Sequence, residues 1–102
     1  MRGDYSNDVE GGAPVRVRYR IDGRMDVAAY VAFVAERAAW LDIDGWVEAA
    51  EGGVGLVAAG PEALVGALEM ACTLGPLDAL IESISGQPTD ELVGPGFERR
   101  QK

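Results

Sequence analysis

The side chains that could do chemistry in this chain are carboxylates, arginines and hydroxyls, because its 102 residues include no histidine and only one cysteine. Without histidine there is no Ser-His or Cys-His nucleophile pair, and a structural zinc site lacks its usual ligands. Cys72 falls on the apolar side of a predicted helix, which is typical of a small buried side chain. Thr73, Ser83 and Ser85 have no base beside them in the sequence. Catalysis would therefore have to use carboxylates, arginine, hydroxyls or backbone amides.

Arginine forms the most distinctive cluster near the start of the chain. Apolar and charged residues alternate strictly from Val15 to Ile21, which predicts a strand with apolar residues on one face. Three arginines then lie on the other face: Arg16, Arg18 and Arg20. Two interpretations are open. The arginines pair with carboxylates on neighbouring strands, such as Glu48 or Glu82, or they form a patch that binds an anion or a protein partner.

The overall charge and hydropathy exclude several classes of partner. Seventeen acidic residues against nine basic ones give a net charge of −8, and no Lys or Arg lies between Ala38 and Glu98. Phosphates would be repelled, so neither nucleic acid nor an anionic membrane is expected as a partner. No apolar run approaches the ~20 residues of a spanning helix, and residues 1–14 lack the apolar core of a secretory signal. We therefore expect a cytoplasmic protein.

Asp42 and Asp44 are two residues apart around a predicted turn, and their charges suggest a cation site. They lack the further ligands of a calcium loop, so a capping or turn role is favoured. We expect no metal and no other cofactor.

The hydrophobic periodicity predicts the order β-α-β-β-α-β-β, preceded by a disordered tail over residues 1–14 and forming one domain over residues 15–102. The predicted elements are a strand over 15–21, a loop over 22–26, a helix over 27–41 capped by Asp26, strands over 46–50 and 54–58, a helix from 60 to 75, a strand over 77–85 and a strand over 96–100. This order is typical of the α+β class, as a ferredoxin-like α/β sandwich with an antiparallel sheet and two helices on one face.

Several short motifs, in their order and spacing, make the chain resemble the acylphosphatase family. They are Arg20-Ile21-Asp22-Gly23, Phe33-Val34-Ala35-Glu36-Arg37-Ala38, Gly45-Trp46-Val47, Gly60-Pro61-Glu62, Gly75-Pro76 and Gly96-Phe97-Glu98. Each motif alone is weak, but together they cover residues 15 to about 100. The resemblance implies the same sandwich fold and the hydrolysis of acyl phosphates to carboxylate and phosphate.

The resemblance also implies a site. In the family, amides of the loop between the first strand and helix hold a phosphate, an arginine at the helix start completes the cradle, and an asparagine on the second strand orients water. The candidate anion-loop residues here are Gly23, Arg24, Met25 and Asp26. Counting back from the helix motif puts Val31 at the arginine position. Counting forward from Gly23, with a loop longer than the family's usual one, puts Val27 there. Ala49 occupies the asparagine position.

Three functions remain open on these residues. The first is an acylphosphatase-like domain without acylphosphatase activity, acting as an anion- or partner-binding module. The second is a weak acylphosphatase in which loop amides and Arg24 hold the phosphate. The third is an interaction protein that uses the arginine face of the sheet. No catalytic residue is assigned.

Overall fold

The computed structural model describes residues 12–100, and its element order confirms the predicted β-α-β-β-α-β-β. The elements are β1 (Pro14–Arg24), α1 (Val27–Trp40), β2 (Asp44–Ala50), β3 (Gly53–Pro61), α2 (Glu62–Leu74), β4 (Leu80–Pro88) and β5 (Phe97–Arg100). Most of the predicted tail, residues 1–11, lies outside the described residues. Within the described part, no helix is long and apolar enough to cross a membrane.

The five strands form one sheet in the order β4-β1-β3-β2-β5. β1 is antiparallel to both β3 and β4, and β2 is antiparallel to β3. β5 is parallel to β2, so the sheet is mixed at this edge and not antiparallel throughout. The reason is the connection over residues 89–96, which crosses from the β4 edge to the end of the sheet where β2 begins.

The core lies between one face of the sheet and the two helices. Tyr19 and Ile21 of β1 are buried there, as the alternation predicts. Each helix contributes one buried stripe: Tyr30, Val34 and Ala38 from α1, and Val65, Leu68 and Cys72 from α2. Both stripes belong to the same core cluster as the β1 residues, so both helices cover the same face.

β1 begins at Pro14, one residue before the predicted strand. Pro14 pairs with Pro61, and the carbonyl of Ala13 accepts the N–H of Glu62 at 3.0 Å. The N-cap residue of α2 is Pro61, which makes no side-chain capping bond. The backbone just before β1 therefore supplies an acceptor that the first turn of α2 otherwise lacks.

β4 also begins later than predicted and ends later. Gly75 adopts a φ of +67°, and the N–H of Ala79 donates to the carbonyl of Pro76 at 3.0 Å. These residues form a turn, so the strand starts at Leu80 and continues to Pro88.

Tyr30 links the two helices through a buried hydrogen bond. Its hydroxyl donates to the carbonyl oxygen of Cys72 at 2.6 Å. Burial raises the pKa of Tyr30 and raises the pKa of the Cys72 thiol to about 12. Both groups are therefore protonated in the folded protein at neutral pH, and the thiol is packed as a small apolar side chain.

A chain that starts at Val15 should fold but be less stable than one that starts at Gly12. The deletion removes the Ala13 carbonyl that accepts from Glu62, and a lost hydrogen bond of this kind costs about 1 kcal/mol. Urea unfolding of the two truncated proteins measures the difference. Equal stabilities would show that residues 12–14 contribute nothing to the domain.

The Cys72 thiol should resist a disulfide reagent in the folded protein and react at once in urea. The free energy of unfolding should also fall as the pH rises above 9.0, the ordinary pKa of the thiol, because the unfolded chain releases this proton first and the folded chain only near about 12. Cys72→Ala should remove this part of the decline and leave the part due to tyrosines above pH 10.0. If the free energy of unfolding of Cys72→Ala still declined as before between pH 9.0 and 10.0, the decline would not come from the Cys72 thiol.

Candidate anion-binding site

Only Met25 and Asp26 join the end of β1 to the start of α1. The strand continues through Arg24, which pairs with Leu80 of β4, so most of the loop predicted over residues 22–26 is strand. The predicted bounds of the loop are therefore wrong. The helix begins at Val27, as predicted.

Asp26 caps α1, which confirms the prediction made from the sequence. Its Oδ1 accepts the N–H of Ala29 at 3.0 Å, and its carbonyl accepts the N–H of Tyr30 at 2.9 Å. Amides in the first turn of a helix are the groups that bind phosphate in anion sites. Here one of them is already bonded to a carboxylate of the same chain, and that carboxylate places a negative charge at the helix N terminus.

Gly23 is explained by packing between two strands. A Cβ at this position would lie 2.3 Å from the carbonyl oxygen of Leu80. The register of β1 with β4 shifts at the same point, because Glu82 is an extra residue opposite the step from Asp22 to Gly23. The structure thus favours a structural role for this glycine over an approach to phosphate.

Arg24 and Met25 do not form a cradle with Asp26. Arg24 is exposed, and the alternation along β1 assigns it to the face that carries Arg20 and Asp22, away from the helices. Met25 is half-buried and packs against the core. The four candidate loop residues are adjacent in sequence, but the side chains of Arg24, Met25 and Asp26 lie in different parts of the fold.

Asp22 is engaged on the outer face and does not oppose an anion at the helix. Its Oδ1 accepts hydrogen bonds from Nε and Nη2 of Arg20, at 2.9 and 2.6 Å. The Arg20 guanidinium lowers the pKa of this carboxyl group. The charge that an anion would meet at the start of α1 is therefore that of Asp26.

The positions that the resemblance assigns to the family's arginine and asparagine hold apolar side chains. Val31 and Val27 are half-buried and pack against the core cluster. Ala49 pairs with Val54 of β3, which pairs with Ile21 of β1. These three paired residues lie side by side in the sheet, and Ile21 is two residues before Gly23. The fold therefore brings β2, the end of β1 and the start of α1 to one end of the sheet. Val27, Val31 and Ala49 themselves offer no polar side chain at this end of the sheet.

The motif Gly45-Trp46-Val47 has a packing role. Gly45 has a φ of +138°, and a Cβ there would lie 1.9 Å from the carbonyl oxygen of Val57. Trp46 is 3% exposed, on the face opposite the helices, and Val47 is buried in the core. The most distinctive motif of the resemblance is therefore explained by strand packing on both faces.

The arginine face is covered by the connection between β4 and β5. Nη1 of Arg16 donates to the carbonyl oxygens of Asp90 and Glu91 at 3.1 and 2.8 Å, and Arg18 forms an ion pair with Glu91. The other carboxylate oxygen of Glu91 accepts the indole N–H of Trp46 at 2.9 Å. The guanidinium groups of Arg18 and Arg100 lie 5.4 and 4.2 Å from the Trp46 ring.

The three arginines share one face, as predicted, but the expected partners Glu48 and Glu82 are wrong. Glu48 lies on β2, which β3 separates from β1, and Glu82 is the extra residue of the β4 bulge. The carboxylates that pair with the arginines are Asp22 and Glu91. Pairing within the protein is thus the better interpretation of these arginines. Sequence reasoning misses Glu91 because this residue lies in an aperiodic polar segment that gives no signal of its contacts.

Asp42 lies in the turn before β2, as predicted, whereas Asp44 is the first residue of β2 and binds the connection before β5. Asp42 has a φ of 59°, and Oδ1 of Asp44 accepts the N–H of Gly96 at 2.7 Å. Among residues 12–100 no group of three or more potential metal ligands comes together.

Asp26→Ala should destabilise the protein by about 1 kcal/mol, whereas Asp26→Asn should cost only a few tenths, because asparagine also caps a helix. Unfolding in urea measures both values. If alanine and asparagine were equivalent, the bond to Ala29 would not be holding the helix start.

The comparisons with known proteins all indicate the same family. The family model for acylphosphatase matches residues 17–98. An acylphosphatase of Rhizorhabdus wittichii is 33% identical over 84 residues, covering 81% of this chain and 85% of that protein. An acylphosphatase of Rhodospirillum rubrum is 34% identical over 82 residues, covering 79% of this chain and 90% of that protein.

Solved structures agree with this fold. The acylphosphatase from Coxiella burnetii superimposes with a TM-score of 0.80 at 22% identity, covering 85% of this chain and 93% of that one. The acylphosphatase from Bacillus subtilis gives a TM-score of 0.76 at 26% identity, covering 84% and 98%. The motifs, the strand order and these matches agree, and the chain belongs to the acylphosphatase family.

Proposed function

We propose that this chain is an acylphosphatase-family domain that has lost ordinary acylphosphatase activity and acts as a binding module. One observation carries the proposal: the Asp26 carboxylate is bonded to the Ala29 N–H at the N terminus of α1, where the resemblance places the phosphate loop. Val31 and Ala49 at the two working positions support it.

The expected loss of rate is large. A guanidinium that stabilises the transferred phosphoryl group, as an arginine finger does, typically raises the rate about 10³–10⁵-fold. One missing hydrogen-bond donor or orienting group typically costs about 10²–10³-fold. A carboxylate beside the same amides adds repulsion toward an anion. Backbone amides alone do not replace these contributions.

A second candidate function is slow hydrolysis of acyl phosphates, and the names of the relatives favour it over the first. Four proteins that are 33–36% identical to this chain are named acylphosphatases. On this reading the remaining amides and the exposed Arg24 hold the phosphate. The assignment of Arg24 to the face away from α1 argues against this role and in favour of the first candidate.

Acetyl phosphate hydrolysis at high protein concentration distinguishes the two candidates. We expect turnover at most about 10⁻³ of the rate measured in parallel for a family member that has the arginine and asparagine. Arg24→Ala is the control and should change nothing. A rate comparable to that member would overturn the proposal. A slow rate abolished by Arg24→Ala would establish the second candidate.

Placing the family's arginine and asparagine at positions 31 and 49 gives a further test of the proposal. Val31→Arg with Ala49→Asn should restore little turnover, because the Asp26 carboxylate still occupies the helix start. Adding Asp26→Gly frees the Ala29 amide and should raise the rate above that of the double variant by about tenfold or more. If the double variant alone were fully active, Asp26 would not be an obstacle to phosphate.

The partner of the module and its location in the cell are also proposals. The arginine face is a poor docking surface, since Arg16 and Arg18 are bonded to residues 90 and 91. We propose a protein partner that binds elsewhere on the domain, and a cytoplasmic location as expected from the sequence.

A further inference from the structure

A segment without an apolar anchor crosses the outer face of the sheet. This segment, named the strap, is the connection over residues 89–96 from the end of β4 to the start of β5. In the described part of the chain, no side chain of the strap packs against the core cluster. Leu92 is 84% exposed, and Asp90 and residues 94–96 are exposed as well. A segment with few buried apolar contacts can open locally while the rest of a domain stays folded.

Two short anchors hold the strap to the sheet. In the first, residues 89–91 bond to β1 and β2. In the second, the N–H of Gly96 donates to Oδ1 of Asp44 at 2.7 Å, and its carbonyl accepts the N–H of Gly45 at 3.0 Å. Among residues 12–100, no hydrogen bond joins residues 92–95 to the sheet. Release of the first anchor alone therefore frees the strap as far as Gly96, which stays as a fixed end.

The strap is loosely packed between its anchors. A hollow of about 220 Å³ is lined by residues 92–96 of the strap and by Trp46 of β2. A Cβ added at Gly94 would meet no atom of the described residues within 4 Å. A close-packed segment leaves little space of this kind. The contacts that keep the strap closed are therefore concentrated in residues 89–91.

The Glu91 carboxylate is the centre of the first anchor. One of its oxygens accepts the indole N–H of Trp46 at 2.9 Å, and the other forms an ion pair with Arg18, so it joins the strap to β2 and β1 together. The neighbouring Asp90 differs, because it uses its carbonyl oxygen, which accepts from Arg16 at 3.1 Å. Among residues 12–100 the Asp90 carboxylate makes no hydrogen bond or ion pair. Of these two adjacent carboxylates, only that of Glu91 holds the strap.

The closed strap covers polar and aromatic groups of the outer face. Trp46 is 3% exposed, on the face opposite the helices. The guanidinium of Arg16 donates to two carbonyl oxygens of the strap, and that of Arg18 pairs with Glu91. These arginines are the groups that the sequence suggests as an anion- or partner-binding patch. The strap therefore occupies this patch as an internal ligand.

We propose that the strap has two states and that the Glu91 carboxylate holds it closed. In the closed state Arg16, Arg18 and Trp46 are covered. In the open state the first anchor is released and the same groups are accessible, while the sheet and both helices stay folded. The strap is thus an autoinhibitory contact on the arginine face. This inference goes beyond the binding role proposed above and holds whether or not the domain hydrolyses acyl phosphates.

Amide hydrogen exchange in the unmodified protein tests for the two states. The Thr89 amide should be protected by its bond to Arg16, but at least about 100-fold less than the amide of Tyr19 in the middle of the sheet. The reason is that opening of the strap exposes the first amide, whereas the second is exposed only when the sheet unfolds. Equal protection would show that the strap detaches only when the whole domain unfolds, and would overturn the proposal.

Glu91→Ala tests whether this carboxylate holds the strap. Two groups report the opening without contacting the carboxylate. They are the Thr89 amide and the Arg16 guanidinium, which bonds to carbonyl oxygens that the alanine variant retains. Loss of the ion pair and of the indole bond should speed both exchange at Thr89 and modification of Arg16 by phenylglyoxal about tenfold. Arg24, which is exposed, is the reference and should react at an unchanged rate.

Asp90→Ala is the matched control, since it removes the same charge from the adjacent residue and should change neither rate. Glu91→Gln keeps an acceptor for the Trp46 indole but loses the ion pair, so it should speed both reactions by a smaller factor. This variant serves if the alanine variant does not fold. Equal acceleration in Asp90→Ala, or acceleration at only one of the two reporting groups, would overturn the proposal. The acetyl phosphate assay is independent of each of these outcomes.

Discussion

β1 pairs with β3 on one side and β4 on the other, so its side chains point alternately to the two faces of the sheet. One face packs against the helices and the other does not. Tyr19 and Ile21 belong to the core that both helices cover. Arg16, Arg18 and Arg20 lie on the opposite face, where no helix covers them. A shift of one residue in either pairing would exchange the two sets and bury three guanidinium groups under the helices, at a prohibitive cost in desolvation. The register of β1 therefore fixes the position of every other element.

The connection over residues 89–96 covers the face of the sheet that the helices leave exposed. Glu91 accepts from both Arg18 and Trp46, and the N–H of Thr89 donates to the carbonyl of Arg16 at 3.1 Å. Trp46 is buried on this face as a result. The arginines of β1 thus bind an irregular segment to the outer face of the sheet.

Much of this fold could be predicted from local signals. The cap at Asp26 and the period-two alternation in β1 each act within a few residues, and the structure agrees with both. Glu91 could not be predicted as a partner of Arg18, because the pair is separated by 73 residues and the segment around Glu91 has no periodicity. The length of the loop after Gly23 could not be predicted for a similar reason: the pairing of Arg24 with Leu80 of β4 extends the strand, and that pairing is invisible in the local sequence.

The candidate site shows how local stability and anion binding compete for the same groups. A helix N terminus has unsatisfied N–H groups, and they can be bonded either by a side chain of the chain or by a bound anion. Asp26 bonds the Ala29 amide without any ligand, so α1 gains its cap in the free protein. A phosphate would have to displace that carboxylate and would replace one anion by another, with little net gain. Val31, one turn into α1, packs against the core and stabilises the domain. The helix start is therefore complete without a ligand, which is the local basis of the proposal that ordinary turnover is lost.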